Sequence, residues 1–541
     1  MLNIDRGKTF FFIVLNLILI TAFGYICLIS FSVIERPVFS ESSGFFNDGF
    51  DLEIECERFS KVYYTLDGSN PVDHGVIYTG PIHIDSRLNT EGSILNDVKI
   101  TTMGEEQIQN GFWRYLMWPV DKAVVVRAAA ILPDGRYSDV VTETYFVGES
   151  WLCKGDDGYG DLPIMNLTIN PDDLFDYEKG IYCLGKEYDE SLERGEWEAS
   201  ANYMLTGKEW ERPVSIAYFE DGKCVWNQDA GVRIKGGQTR HYPQKSFKLY
   251  QRKEYDGKRQ FDYLPLEPYG SESIALHSGA NDIYNKNKDA FINDLCSNLD
   301  YATMKSMPCY LFLNGEFWGV YWLMEEYNES YIEEHFGVDK EVVDITKPGG
   351  FDVGDDIDLS DEDEYAKFCE QVDIESYIQY YATMIYIARW GDWPKINEAY
   401  WKTNRVSSRS FEDGKARWMM FDLNAYCMEN KMIDYNSFET LEEKDKLFAK
   451  LSTNYSFREK MMETITDISN DVFGQDEVEN EIDTVVRQLR VPINKNYLRW
   501  FGTPDGSGNF DESINAIRSF FNDRKQYVYK YMYEWDEKYK D

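Results

Sequence analysis

The sequence predicts an α+β protein in which a small all-β sandwich and a larger two-lobed domain follow an N-terminal transmembrane helix. Three observations predict this order: an apolar run at residues 9–34, short alternating strands over residues 37–148, and mixed strands and helices over residues 155–541. Because a chain of 541 residues is too long for one hydrophobic core, we expect more than one domain.

The charge balance excludes one class of partner. Lys and Arg number 56 against 95 Asp and Glu, which gives a formal net charge of −39. A field of that sign repels a phosphate backbone, so we expect no nucleic-acid partner. The 5 His of the chain leave little material for a multi-histidine metal centre, and any bound metal should be a hard cation held by oxygen.

The apolar run is long enough to cross a bilayer, because about 20 helical residues span its hydrocarbon core. It ends in the letters SVIERP, which lack the small residues of a signal-peptide cleavage site. An uncleaved anchor is therefore favoured over a cleaved leader. Arg6 and Lys8 precede the run, so we predict a single-pass protein of the cell membrane with everything after about Glu35 extracytoplasmic.

The cysteines indicate neither a zinc ribbon nor a dense disulfide scaffold. The chain has 9 Cys with no CxxC pair. Free thiols are the default expectation. A disulfide between Cys153 and Cys183 stays open as an alternative.

The segment after the anchor has the pattern of a small sandwich of short strands. Apolar residues alternate over residues 50–56 and 124–131, and residues 62–71 lead from a strand into a turn. The letters YYTLDGSNP at residues 63–71 resemble the module appended to chitobiase and hexosaminidase C-termini. That resemblance implies either a spacer or a carbohydrate-binding module.

Candidate chemistry begins with a predicted hairpin formed by residues 231–237 and 244–250. In its second strand Lys245 shares a face with Phe247 and Leu249. The structural interpretation, which composition favours, is that Lys245 lies near the strand end and extends its ammonium to water. The chemical interpretation is that it faces a cleft and pairs with the phosphates of a nucleotide.

Residues 287–299 have helical spacing, and a second hairpin follows around Asn314 and Gly315. That hairpin ends at Glu325 and Glu326. The order of lysine-bearing hairpin, helix and hairpin with an acidic end matches the small lobe of a protein kinase.

The larger lobe is predicted to begin with a helix over residues 374–389. Asp392 and Asn397 follow in a loop, and Asp422 follows a strand at residues 417–421. Phosphoryl transfer uses this arrangement: one carboxylate takes the proton of the acceptor hydroxyl, while the amide and the other carboxylate hold magnesium. Each motif alone is common, so the order of the motifs carries the prediction.

Residues from about 172 to 426 resemble the CotH (spore coat protein H) kinase family. The motifs are GVRIKG at residues 231–236, Arg240 with PQKSFKL at residues 243–249, LNGEFWGVY at residues 313–321 with Glu325, and the segment 418–424. The resemblance implies a two-lobed atypical protein-kinase-like fold that transfers phosphate from ATP to Ser or Thr of a secreted or cell-surface protein.

The resemblance also implies roles for individual residues. Asp392 would be the catalytic aspartate. The nucleotide would be bound by Lys245, Arg240 and Glu325, and Mg²⁺ or Mn²⁺ by Asn397, Asp422 and Asn424.

Two departures from the family pattern concern the site. The family commonly has Trp-Asp-Leu-Asp where this chain has Phe-Asp-Leu-Asn at residues 421–424. The last carboxylate of the family motif is therefore replaced by the amide of Asn424. The helix acid that should pair with Lys245 is Asp289 or Asp294, and the sequence does not choose between them.

The remainder of the chain is predicted to form helices at residues 441–451, 457–468 and 477–489, with an aromatic stretch at 520–533 assigned to the core. The acidic residues 352–364 are expected to form a solvated loop rather than a calcium site. Three functions stay open: an active kinase, a catalytically inactive kinase-like surface scaffold, and a carbohydrate-associated binding protein.

Overall fold

The computed structural model describes residues 34–540, apart from 58–59, 97–115, 197–199, 267–271, 280, 283–285, 348, 353, 355, 395 and 505. Nearly all of the run predicted to form the membrane anchor therefore lies outside the described residues. Within the part that is described, no helix is both long and apolar enough to cross a membrane.

The strands, numbered in chain order, are β1 Val38–Phe39, β2 Gly44–Phe46, β3 Phe50–Leu52, β4 Ile54–Glu55, β5 Lys61–Thr65, β6 Val76–Ile77, β7 Ile82–Ile84, β8 Arg87–Thr90, β9 Val120–Lys122, β10 Val124–Ile131, β11 Val141–Val147, β12 Ile164–Thr168, β13 Arg212–Glu220, β14 Lys223–Lys235, β15 Ser246–Tyr250, β16 Ser273–His277, β17 Ser306–Leu313, β18 Glu316–Met324, β19 Val343–Thr346, β20 Ala399–Thr403 and β21 Arg417–Met419.

The α-helices, numbered in the same way, are α1 Pro71–His74, α2 Pro171–Phe175, α3 Gly185–Glu193, α4 Lys253–Asp256, α5 Lys288–Leu295, α6 Glu329–Phe336, α7 Glu362–Phe368, α8 Ile374–Tyr386, α9 Ser437–Lys444, α10 Lys446–Leu451, α11 Tyr455–Asp471, α12 Gln475–Leu489, α13 Pro492–Phe501 and α14 Gly506–Glu537.

The chain divides into two compact units, the first of which comprises Met1–Ser42, Phe50–Ile84 and Val125–Glu143. Its described part is built from short antiparallel pairs: β1 with β4, β3 with β7, β5 with β6, and β10 with β5. After β5 the chain turns at Gly68, which has φ 85°. Asp67 stabilises the turn by accepting a hydrogen bond from the backbone N–H of Ser69 (2.9 Å).

The second unit comprises Ser43–Gly49, Asp85–Val124 and Thr144–Asp541. Seven of its strands pair in the order β13-β12-β17-β18-β16-β15-β14, and β14 pairs again with β13, so this sheet closes on itself. The long strand β14 makes closure possible because it serves two neighbours: Val232 lies opposite Arg212 of β13 and opposite Leu249 of β15.

Both faces of the closed sheet are buried, and alternation divides its side chains between two cores. Val232, Phe247 and Leu249 belong to one core. Ala275 and Met324 belong to the other, which also contains the buried residues of the C-terminal helices. The helices therefore cover one face of the sheet, and that face supplies part of the candidate site.

The predicted hairpins and the principal helices are confirmed, with differences at their ends. The helix predicted over residues 441–451 is two helices, because Asp445 accepts hydrogen bonds from the backbone N–H groups of Leu447 (2.9 Å) and Phe448 (3.1 Å) and so begins α10. In α14, Phe520 and Phe521 are buried, as the core assignment of the aromatic stretch requires.

Two further expectations concern single residues. Cys153 and Cys183 are both free thiols, so the disulfide considered between them is not formed. Within the acidic stretch, Asp361 caps α7 by accepting hydrogen bonds from the backbone N–H groups of Asp363 (3.0 Å) and Glu364 (3.1 Å).

Candidate functional site

Asp392 lies in the loop after α8, where the chain reverses direction. Ala388 (φ 52°) and Gly391 (φ 81°) adopt left-handed conformations, so α8 ends before residue 389. Asp392 accepts a hydrogen bond from the side-chain amide of Asn397 (2.7 Å). Its other carboxylate oxygen pairs with the guanidinium of Arg389 at 2.8 Å. The structure thus brings together Asp392 and Asn397, as the sequence predicts.

Arg389 links this loop to the segment that carries Asp422. Its side chain is 1% exposed, and it donates a hydrogen bond to the carbonyl of Ala425 as well as pairing with Asp392. A buried guanidinium with partners in both segments fixes their separation. Reasoning from the sequence missed this residue because it falls at the end of a predicted helix, where a cation is ordinary.

Asp422 follows β21 in a strained backbone conformation. Its φ is 57°, a left-handed value that costs a non-glycine residue about 1–2 kcal/mol. The next residue, Leu423, donates its backbone N–H to the carboxylate of Asp289 at 2.5 Å. Backbone strain persists where neighbouring contacts impose it, and such residues cluster at functional sites.

The carboxylates of Asp289, Asp392 and Asp422 lie within electrostatic reach of one another. Burial, together with the charge of Asp422, raises the pKa of Asp289 to about 7. Burial also raises the pKa of Asp392; Arg389 opposes this and Asp422 adds to it. Negative charge concentrated in this way favours a bound cation.

The residues offered as metal ligands fit that role to different degrees. Asn397 donates its amide nitrogen to Asp392, which leaves its amide oxygen available as a hard donor. Asn424 instead bridges two side chains: its oxygen accepts from Asn281 (3.2 Å) and its nitrogen lies 3.3 Å from the ring of His277. The better donors are therefore Asp422 and Asn397.

A cation held here would rely on the carboxylate of Asp422, on the amide oxygen of Asn397 and on water or phosphate ligands. Among the residues that the structure describes, no group of three or more His, Cys, Asp or Glu side chains is placed to hold a metal ion. His277 is neutral, because burial and the charges of Lys235 and Lys286 lower its pKa to about 3.

The structure does not bring Lys245 to this group. Its side chain is 1% exposed and does not extend to water. The ammonium donates to the carbonyls of Arg240 (2.5 Å) and Tyr242 (3.1 Å) and lies 3.8 Å from the ring centroid of Tyr203. The strand does place Lys245 on the face of Phe247, but that face points into the other core. Neither interpretation of Lys245 made from the sequence describes this environment.

Arg240 and Glu325 also lie apart from Asp392. The guanidinium of Arg240 donates to the carbonyl of Met204 at 2.9 Å. Glu325 is fully buried, accepts from the backbone N–H of Lys305 (2.8 Å) and pairs with His335 (2.9 Å).

Lys305 and His335 line a cavity of about 470 Å³ whose walls include neither Asp392 nor Asp422. The structure therefore does not bring Lys245, Arg240 and Glu325 together with Asp392 and Asp422, and their predicted role in nucleotide binding stays a prediction.

A different lysine, Lys235, lies within reach of the charges of Asp422 and Asp289. It ends β14 and pairs with Glu326 at 2.6 Å. Burial lowers its pKa, but Glu326, Asp422 and Asp289 more than offset this, and the net shift is upward. The alternation of β14 was the available signal, since it puts Lys235 on the face opposite Val232 and Ile234.

The structure also separates the two helix acids that the sequence left open. Asp289 is the one beside the site, because its charge acts on Lys235. The charge that acts on Asp294 is that of Glu481, a residue of α12. Asp289 therefore belongs to the candidate site and Asp294 does not.

Comparison with protein families identifies the region that contains these residues. The model described as CotH kinase protein matches residues 232–360 and 351–528, together more than half of the chain. The chain belongs to the CotH kinase family. Its match includes Lys235, Glu326, Asp392 and Asp422, and the family description points to a kinase-like function.

The β-rich region upstream matches a different model. This model is described as Fn3 associated and covers residues 52–145. The match supports a separate β module before the CotH region and does not support the resemblance to chitobiase modules. No curated protein matches the chain.

Proposed function

We propose that this CotH family member is an atypical protein kinase that transfers phosphate from ATP to Ser or Thr of a protein at or outside the cell surface. The observation that carries the proposal is the convergence of Asp392, Asn397 and Asp422 beside the Lys235–Glu326 ion pair. We further propose that the N-terminal apolar run anchors the chain in the cell membrane with its bulk outside.

Asp392 is the residue suited to the acceptor. Arg389 and Asn397 fix the orientation of its carboxylate, so one oxygen can take the proton of an incoming hydroxyl. As that proton leaves, the hydroxyl oxygen bonds to the γ-phosphorus and the bond to the β–γ bridging oxygen breaks, which releases ADP. A raised pKa brings Asp392 closer to the range in which a general base works well.

Lys235 is the residue suited to the donor phosphates. Glu326 holds the ammonium in place, and the ammonium also feels the charges of Asp422 and Asp289. Mg²⁺ or Mn²⁺, when bound by Asp422 and Asn397, would neutralise phosphate charge. Lys245, in contrast, stabilises the loop between β14 and β15 through the carbonyls of Arg240 and Tyr242.

One observation favours a second candidate, an inactive kinase-like scaffold. Asn424 replaces a carboxylate of the family pattern, and its amide is already bonded to Asn281 and His277. A site with one carboxylate fewer should bind metal more weakly. No described contact favours carbohydrate binding by residues 37–148, which stays a hypothesis from the sequence.

The experiment is a transfer assay with the full chain. The protein is incubated with ATP labelled at the γ-phosphate, with Mg²⁺ or Mn²⁺ and with extracytoplasmic protein as acceptor. Metal-dependent label on Ser or Thr is the expected result. Nucleotide binding without any transfer, under both metals, would favour the scaffold.

A further inference from the structure

Lys235 is one of three lysines around Glu326. The carboxylate of Glu326 is buried, and its two oxygens pair with different lysines: Oε1 with Lys235 at 2.6 Å and Oε2 with Lys248 at 3.0 Å. The third, Lys347, donates to the carbonyl of the adjacent Tyr327 at 2.6 Å. We call Lys235, Lys248 and Lys347 the lysine triad.

The triad does not arise from a lysine-rich surface segment. Lys235 ends β14, Lys248 lies within β15 and Lys347 follows β19, so three parts of the chain converge. The pairing of Arg233 with Lys248 across β14 and β15 puts Lys235 and Lys248 on one face of the sheet. Their side chains are 29% and 20% exposed, which leaves them open to a ligand.

The electrostatics indicate that the triad suits an anion. Burial alone would raise the pKa of Glu326, but the three lysines outweigh burial and hold this pKa far below its usual range. The carboxylate is therefore ionised and shared by two ammonium groups.

Lys347 is in a less favourable position than the other two lysines. Burial lowers the pKa of Lys347 to about 8, and the positive charges of Lys248 and Lys235 add to the decrease. The negative charge of Glu326, and more weakly that of Glu329, opposes it. An anion placed among the three lysines would relieve this repulsion.

We propose that Lys248 and Lys347 act with Lys235 to bind the phosphate chain of the donor, so that the site recognises a polyphosphate rather than a single phosphate. This inference rests on the proposed kinase function, to which it adds two donor-binding residues. Lysine binds phosphate as a compact point charge, and each ammonium adds a charge-assisted contact. A chain of three phosphates carries more charge and more oxygens than orthophosphate, so it can make more contacts with the three lysines.

The test uses inorganic tripolyphosphate as the probe and calorimetry on the full chain. Lys248→Gln and Lys347→Gln should each weaken tripolyphosphate binding about tenfold, the effect of losing one charge-assisted contact. The matched control is Lys530→Gln, since the side chain of Lys530 is 57% exposed and its ammonium lies 4.0 Å from Glu534. The control should bind like the parent, and orthophosphate should bind the parent more weakly than tripolyphosphate.

Thermal melts check folding, because Lys248→Gln removes one partner of a buried carboxylate. If that variant melts early, Lys347→Gln decides, since Lys347 bonds to a carbonyl instead. Parent-like tripolyphosphate binding by a folded Lys347→Gln, or equal affinity for orthophosphate, would overturn the inference.

Failure of the proposed kinase function would give a different result from failure of this inference. In that case tripolyphosphate binding still depends on the triad but no label is transferred from ATP.

Discussion

Lys235 and Lys245 provide a matched pair of substitutions with opposite expected effects. Lys235→Met removes the ammonium beside Asp422 and should weaken ATP binding about tenfold or more, the value of a charge-assisted contact. Lys245→Met removes an ammonium enclosed by the carbonyls of Arg240 and Tyr242 and should leave ATP binding unchanged. Its effect should appear in stability, in a form that depends on pH.

The magnitude follows from the pKa of Lys245. Burial lowers this pKa from 10.5 to about 7. Between pH 7 and 10.5 the unfolded chain therefore holds a proton that the folded chain has released, so the stability that Lys245 contributes rises with pH by up to about 1.4 kcal/mol per unit. At pH 7 the Lys245→Met variant gains free energy of folding because it buries no ammonium. This gain roughly offsets the loss of the two hydrogen bonds of Lys245, each worth about 1–2 kcal/mol. At pH 9 Lys245→Met should be clearly destabilising.

The assay is urea unfolding of parent and variant, followed by tryptophan fluorescence at about pH 7.5 and about pH 9. The difference in unfolding free energy between the two proteins should grow by about 2 kcal/mol over that interval. Lys286, whose pKa burial also lowers to about 7, is present in both proteins and cancels in the difference. A difference that stays constant with pH, combined with loss of ATP binding in Lys245→Met, would refute this assignment of the two lysines.

Three other predictions test separate parts of the account. Asp422→Ala should weaken ATP binding about tenfold in the presence of Mg²⁺ but not in its absence, as measured by calorimetry with and without a chelator. Arg389→Met should lower kcat more than it raises KM, because Asp392 loses the ion pair that orients it; Arg389→Lys should restore part of kcat. Protease added to intact cells should digest everything after about Glu35, and a large protected fragment would contradict the predicted orientation.

Much of the site could be predicted because its key contacts are local in sequence. Asp392 and Asn397 lie in one loop, and the hydrogen bond between them needs only the turn after α8. The hairpins are likewise fixed by alternation and by the turn at Asn314 and Gly315, which have φ 50° and φ 80°. Local pattern and local turn chemistry therefore suffice for these elements.

The choice of lysine could not be made in the same way. Alternation assigns Lys245 and Lys235 to opposite faces, but it does not say which face of a closed sheet meets the helices when both are buried. That depends on how β13 and β14 close the sheet, a pairing between parts of the chain that sequence spacing does not fix. The same ambiguity applies to Glu325 and Glu326, two consecutive residues whose side chains pair with different partners, His335 and Lys235.

Contacts between segments that are distant in the sequence could not be predicted either. Glu316, which is 1% exposed, accepts from the backbone N–H of Ile94 (2.9 Å) and pairs with Lys122 (3.4 Å) and Arg499 (2.9 Å). Its partners lie far from it along the chain on both sides. The described residues of the segment 85–124, which were grouped with the sandwich from the sequence, consequently pack within the second unit.

The most direct test of the central claim is to compare ATP binding and phosphate transfer in Asp392→Asn. The substitution keeps the size of the side chain but removes its negative charge, and with it both the ability to accept a proton and the ion pair with Arg389. Because Asp422 and Lys235 are unchanged, binding of ATP with Mg²⁺ should match that of the parent. Transfer of labelled phosphate should fall by about 10² or more, because general-base catalysis and positioning each contribute at least that factor. A folded Asp392→Asn protein that transfers phosphate at the parent rate would contradict the account.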